Sequence, residues 1–376
     1  MITRRRALLG ASGLICMPAI IGVARAEDQK AAAVITEAKN SIAIAVKPQN
    51  VWDGPTAGPT AAKSKKIIYV ASDQRNGGTL GVSKGVAEAA AAIGWEFKII
   101  DGQGSVPAQT AGVAQAVAQR PDGIILGTID AVGQKATLDQ ATSLGIKVVG
   151  WHTSAVPGPI ADPAVFANIT TQPKQIALTA ANYAIAQSNA TAAATVIRNS
   201  ETLIGRLKGD TIRERIETTP GCKVLSFDIM SIPDSSARMP SLTSSLLQRF
   251  QGELGWMLAI NDLYFDFTVP SLRSAGIPPS GSGSISLISA GDGSVSAYQR
   301  IRSSQYQVAT VPEPLNLQGW IAVDELNRAF AGAPLSGYNP NVHLVTIDNI
   351  AKDGGPDNRF DPDNGYRDHY RKIWGV

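Results

Sequence analysis

Cysteine and histidine are scarce: the 376 residues contain two of the first and three of the second. Cys16 lies in an N-terminal apolar run, which leaves Cys222 alone over the rest of the chain and excludes an intrachain disulfide or a cysteine-held metal there. His152, His343 and His369 are too far apart in sequence to form a recognisable ligand set, so no metal is expected. Aromatic residues make up only 6% of the chain, and beyond residue 26 no apolar run is long enough to cross a bilayer. Also absent are a G-x-G-x-x-G turn after a predicted strand, a G-x-S-x-G elbow and a spaced His/Cys cluster; Gly77-Gly78 follows a strand but lacks the third glycine. With those signatures missing, neither an enzyme nor a bound cofactor is expected.

The N-terminus carries an export pattern. Thr3-Arg4-Arg5-Arg6 precedes a Gly/Ala-rich apolar run from Ala7 to Val23, and Ala24-Arg25-Ala26 supplies a small-x-small cleavage site. Residues 1–26 therefore read as a signal peptide, and Leu8 after the arginine pair fits the twin-arginine branch. The formal charge of +3 includes Arg4, Arg5, Arg6 and Arg25 and no acid from that segment, so the remainder is close to neutral. The basic balance belongs to the export tag, and a nucleic-acid or anionic-membrane partner loses its support. A soluble, periplasmic mature chain is the expectation.

About 350 residues after cleavage is more than one core usually serves, so two domains are expected. Residues 27–64 read as a helical extension (Glu27 to Asn40) and a Pro/Gly-rich linker, either a packing or dimerisation element or a free arm. From Lys65 short apolar strands at 67–70, 95–100, 123–126 and 147–151 alternate with helices over 81–93, 107–118 and 131–144. The alternation restarts at Thr195, with strands at 195–198, 223–229, 255–260, 284–289 and 308–311, helices between them and a last helix over 317–331. Such βαβ repeats build parallel sheets covered on both faces, so the fold class expected is α/β with two Rossmann-like lobes. The Asp/Gly/Pro/Asn-rich stretch from Lys352 to Asn364 does not match a calcium-loop spacing and reads as a solvated linker.

In open α/β sheets ligands collect at the carboxyl ends of the strands. Here those ends carry Ser72-Asp73-Gln74-Arg75-Asn76-Gly77-Gly78, Trp151-His152-Thr153, Asn261-Asp262 and Gly291-Asp292-Gly293, and another strand leads into Glu201 and Arg206. Carboxylates accept from vicinal hydroxyls, Asn both donates and accepts, and Arg offers a rigid fork of donors, a set suited to a polyhydroxylated ligand. Each residue alone has a plain structural alternative, since Asn, Asp and Gly after strands also make turns and helix caps.

Ala259-Ile260-Asn261-Asp262, Ala290-Gly291-Asp292-Gly293 and Pro121-Asp122-Gly123-Ile124-Ile125 resemble segments of the periplasmic sugar-binding proteins of ABC importers, ribose-binding type, and the similarity spans about residues 65–350. The resemblance implies a type I periplasmic binding fold: a hinged clamshell with lobe one over 65–170 and 314–343 and lobe two over 171–313 and 344–376. It implies that a monomeric protein captures a small sugar or sugar alcohol between the lobes and hands it to a membrane permease. A sensory protein presenting its ligand to a receptor uses the same clamshell, and an exported enzyme is the remaining alternative. Carried over by position, Ser72, Asn76, Arg206, Asn261, Asp292 and Glu313 are the expected ligand-binding residues.

The chain departs from that family pattern in two places. Relatives set aromatic rings near the first-strand Asn, where this chain has Gly78 and Thr79, and an Asp-Arg pair after strand four, where it has His152-Thr153. Trp151 and His152 join the expected site as substitutes, each with a structural alternative as a core indole or a satisfied imidazole. Hexoses, pentoses and alditols all fit the polar inventory, and the missing ring-stacking wall tilts the expectation toward a smaller or open-chain ligand.

Overall fold

The computed structural model describes residues 18–376, with side chains from residue 29. The leader expected over 1–26 falls largely outside the described residues. A first helix, α1 (Pro18–Ala45), precedes a run of strands and helices: β1 (Lys66–Ala71), α2 (Gly77–Ala92), β2 (Glu96–Asp101), α3 (Val106–Ala118), β3 (Gly123–Gly127), α4 (Lys135–Ser143), β4 (Lys147–Trp151), β5 (Gly158–Ile160) and β6 (Val165–Ile169). A second run follows with α5 (Pro173–Gln187), β7 (Ala193–Arg198), α6 (Leu203–Glu217), β8 (Lys223–Ile229), α7 (Ser235–Arg249), β9 (Trp256–Ala259), α8 (Leu263–Ser274), β10 (Ser286–Ser289), α9 (Val295–Arg302) and β11 (Gln307–Thr310). The chain ends with α10 (Leu315–Ala331), β12 (Val345–Thr346), α11 (Ile350–Asp353) and α12 (Tyr366–Trp374).

The strands form two six-stranded sheets, ordered β2-β1-β3-β4-β6-β5 and β12-β11-β10-β9-β7-β8. Pairing is parallel except for β5 with β6 and β11 with β12. Period-two alternation explains why the strands read as unbroken apolar runs, because both faces are covered. On the first sheet Ile67, Tyr69, Ile125 and Val149 face α2 and α10, while Ile68, Val70, Ile124 and Leu126 face α3 and α4. The second sheet repeats the scheme, with Val196, Leu258 and Ile288 toward α5 and α6 and with Met257, Ala259 and Leu287 toward α7 and α8. The architecture is α/β with two Rossmann-like lobes. Among the described residues no helix is long and apolar enough to cross a membrane.

Two features lie outside the sequence expectations, the burial of α5 and the course of the tail, and a third bears on an alternative they left open. Helix α5 has no amphipathic stripe because it is buried nearly all round: Ile176, Ala177, Ala180, Ala181 and Ala184 pack inward while α1, through Ala38 and Ala45, covers its other side. The linker after α1 lies on the surface but is not a free arm. Leu344 N–H donates to Ala45 O (2.9 Å), Asp53 accepts from Tyr338 Oη and Asn341 Nδ2 (2.7 Å each), and Asn327 Nδ2 donates to Pro59 O (3.0 Å). The extension thus starts on the second lobe and ends on the first, a strap packed within its own chain.

The tail, expected with lobe two over 344–376, divides. Strand β12 joins the second sheet, but α12 places Tyr366, Tyr370 and Trp374 in the core of the first lobe. Those residues recur every fourth position and form one apolar face. Trp320 of α10 supplies the matching surface, its ring stacked 5.3 Å from that of Trp374.

Candidate functional site

The carboxyl ends of both sheets face each other across a cavity of about 470 Å³. From the first lobe, Ser72, Asn76, Trp151 and His152 line it; from the second, Arg206, Asn261 and Asp292 do. Glu313 is not on its wall. Its carboxylate sits in the crossing between β11 and α10, where Oε2 accepts from Thr171 N (3.0 Å) in the other crossing and from Gln318 Nε2 (2.6 Å). Its Oε1 lies 2.8 Å from His152 Nε2, in an orientation that leaves both atoms without an aligned hydrogen bond.

Local structure aims each group. Asn76 caps α2, its Oδ1 accepting from Gly78 N (2.9 Å), so its amide NH2 remains as donor. Asn261 is partly engaged internally: Oδ1 accepts from Leu263 N (2.9 Å) and Nδ2 donates to Asp292 Oδ2 (2.5 Å), which leaves its second N–H as a donor. Asp262 is a bracket, not a cavity residue; its carboxylate accepts from Gly293 N (2.9 Å), Gln307 Nε2 (2.7 Å) and Thr310 Oγ1 (3.2 Å) and so shapes the turn that presents Asp292. His152 and Asp292 both hold left-handed backbone, at φ 55° and 43°. Such backbone costs roughly 1–3 kcal/mol per residue and concentrates at functional sites. Thr128, at φ 59°, is a third such residue on the cavity wall.

Lys208 is a charged cavity residue that the sequence expectations omitted. It is 3% exposed, and its Nζ lies 3.6 Å from Glu313 Oε1. Arg206, two residues earlier, is half-buried and donates from Nη1 to Ser200 O. Burial pushes the Asp292 carboxyl above its ordinary range against the opposing charges of Lys208 and His152. Burial acts the same way on Glu313, but His152, Lys208 and the Gln318 hydrogen bond outweigh it and hold that carboxyl far below the usual value. The floor of the cavity therefore carries donors and acceptors of both signs at close quarters. Among the described residues no group of three or more His, Cys, Asp or Glu is placed to hold a metal.

The structure also shows what replaces the missing ring near Asn76. Trp151 is buried, donates from Nε1 to Gln318 Oε1 (2.7 Å), and stacks on His152 with centroids 3.9 Å apart at 14°. A Cβ on Gly78 would stand 2.9 Å from Trp151 Cη2 and 2.7 Å from Asp292 Cγ. The glycine is what admits both groups, and the indole serves as a wall beneath the site, not a free stacking face.

A family model described as periplasmic binding protein domain matches residues 67–334. No curated protein sequence matches the chain. Similar solved structures include a sugar ABC transporter protein of Yersinia enterocolitica subsp. enterocolitica 8081, with TM-score 0.68 and 17% identity over 80% of this chain and 90% of that one. A glucose-galactose binding protein of Geobacillus stearothermophilus superposes with TM-score 0.66 at 15% identity, over 77% and 99%. The Caulobacter myo-inositol binding protein, bound to myo-inositol, gives 0.66 at 17%, over 78% and 97%. At such identities the likeness is one of fold.

Proposed function

This chain belongs to the periplasmic binding protein family, whose members bind solutes and are not catalysts, and from that premise we propose that it captures a small sugar or polyol between its lobes and delivers it to the permease of an ABC importer. The observation that carries the proposal is the convergence of buried polar side chains from both lobes on one cavity: Asn76 and His152 from one side, Lys208 and Asp292 from the other. Vicinal hydroxyls need acceptors and donors together, which Asp292 and Lys208 offer within the same wall. The ligands of structural neighbours, glucose or galactose in one and myo-inositol in another, support the same class. The arginine-led leader supports action in the periplasm.

Selective closure follows from the geometry. A ligand touching Asn76 and Asp292 together gains both contacts only when the lobes meet, so it shifts the population toward the closed form that a permease can distinguish. Thr171 and Glu313, hydrogen-bonded to each other in adjacent crossings, tie the two hinge segments on which the lobes turn. The test is calorimetric titration of the exported protein with glucose, galactose, arabinose, myo-inositol and glycerol, with amino acids and nucleosides as controls. Saturable binding of one polyol that Asp292→Ala removes is expected. Binding confined to the controls refutes the proposal.

A further inference from the structure

The cavity has two chemically different halves. At its floor, Asn76, His152, Lys208 and Asp292 are all buried. Toward the opening the same cavity is walled by Val106 and Val132 of the first lobe and by Leu203, Ile232 and Pro233 of the second, with Gln109, Asp130, Glu201 and Arg206 set among them. Three of these apolar side chains stand well exposed, Val132 at 62%, Val106 at 57% and Leu203 at 37%. They come from three separate segments, the starts of α3 and α6 and the turn before α4, so no single helix's apolar stripe explains them. The lobes approach each other at this level: a Cβ on Gly104 would lie 2.9 Å from Pro233 Cγ.

We infer that the ligand is amphiphilic, a polyol joined to an apolar substituent of the size of a phenyl or short alkyl group. This rests on the cleft being a polyol site. The polyol occupies the floor, and the substituent lies between the valines of one lobe and Leu203 and Ile232 of the other. A bare monosaccharide would satisfy the floor and leave the apolar mouth in water. A substituent there removes apolar surface from water on both sides, the non-directional gain expected of such burial. The wall at the floor supports the same division. Trp151 is buried and already stacked on His152, which limits its use as a stacking face for a sugar ring.

Matched pairs test the inference: the methyl and phenyl glycosides of glucose, galactose and xylose, and the methyl and phenyl ethers of myo-inositol and glycerol, titrated calorimetrically into the full exported protein. For the polyol that binds, the phenyl derivative is expected to bind about tenfold or more tightly than the methyl one, with a more negative heat-capacity change. In Val132→Asp and Leu203→Asp, both at exposed positions, that ratio is expected to fall toward one. Equal or weaker binding of the phenyl derivative in the wild type overturns the inference and leaves the polyol site standing. Failure of every pair and every free polyol overturns both.

Discussion

Gly78→Ala would separate closure from folding. A methyl group at this position lies 2.7 Å from both Cγ and Oδ2 of Asp292, which belongs to the opposite lobe, and 2.9 Å from Trp151 Cη2 in its own. Atoms cannot sit that close, and parting the lobes relieves the Asp292 contact without unfolding either of them. Overpacking of this kind costs about 1–3 kcal/mol. Borne by the closed state alone, that penalty weakens ligand binding by about 5- to 150-fold. The ligand-free protein has no such reason to suffer. Gly78 lies in the first turn of α2 outside the left-handed region, where glycine-to-alanine exchange stabilises by about 0.4–1 kcal/mol through the unfolded chain. A small shift of the Trp151 ring takes up the contact within the lobe. Calorimetry with the bound polyol gives the affinity, urea unfolding without ligand gives the stability, and small-angle scattering gives the degree of closure. Unchanged affinity would refute the reasoning that Gly78 and Asp292 must meet for binding. A large loss of unliganded stability would refute it too, by assigning the glycine to packing inside one lobe.

The repeated strands and helices were legible because the central strands are buried on both faces and bounded by turn residues, which is what a run such as Ile67-Ile68-Tyr69-Val70 requires. The strand ends were legible for a topological reason: in such sheets they face a crevice whatever the chemistry. Helix α5 was not, because a helix covered on both sides loses the polar face that gives away its period. Lys208 is more instructive. Ile204, Lys208, Ile212 and Ile216 fall four residues apart on α6, and all four are buried. A lysine in the middle of an apolar stripe was a readable sign of a charge held inside, whereas Arg206 lies off that stripe. Glu313 shows the opposite failure. Its position in the chain pointed to the cleft, but only the fold reveals that His152 stands beside it and that its carboxylate accepts from Thr171 in the neighbouring crossing.

Lys208→Ala should weaken polyol binding about tenfold or more, the usual loss for a charged hydrogen bond, and Arg206→Ala by less; the reverse order in titrations would put the working cation on Arg206. Trp52→Ala should lower the melting temperature by several degrees, since the indole packs on Tyr338, His369 and Tyr370 at 5.2–5.4 Å, while affinity stays within about twofold; an unchanged melting curve would mean the strap contributes nothing to stability. The pH dependence of stability should have two limbs of opposite sign. Burial pushes the Asp262 carboxyl up to about 6, and Asp292, Asp324 and Glu325 are raised by the same cause. The folded protein then holds protons that the unfolded chain has released near pH 4, so stability falls as pH rises across about 4–6. For Asp262 alone this amounts to about 3 kcal/mol at most. Glu313 works in the other direction: its depressed carboxyl contributes stability above the unfolded value near 4.3, lost as pH falls toward the folded one. Urea midpoints should therefore be highest near pH 4, above those at pH 7, and decline at lower pH. Glu313→Gln should flatten the acid limb and lower the maximum by up to about 3–5 kcal/mol, because Lys208 and His152 lose their common partner. A wild-type profile that peaks at pH 7 or above would show that the buried carboxylates are not held protonated, and with that the electrostatic description of the floor would fail.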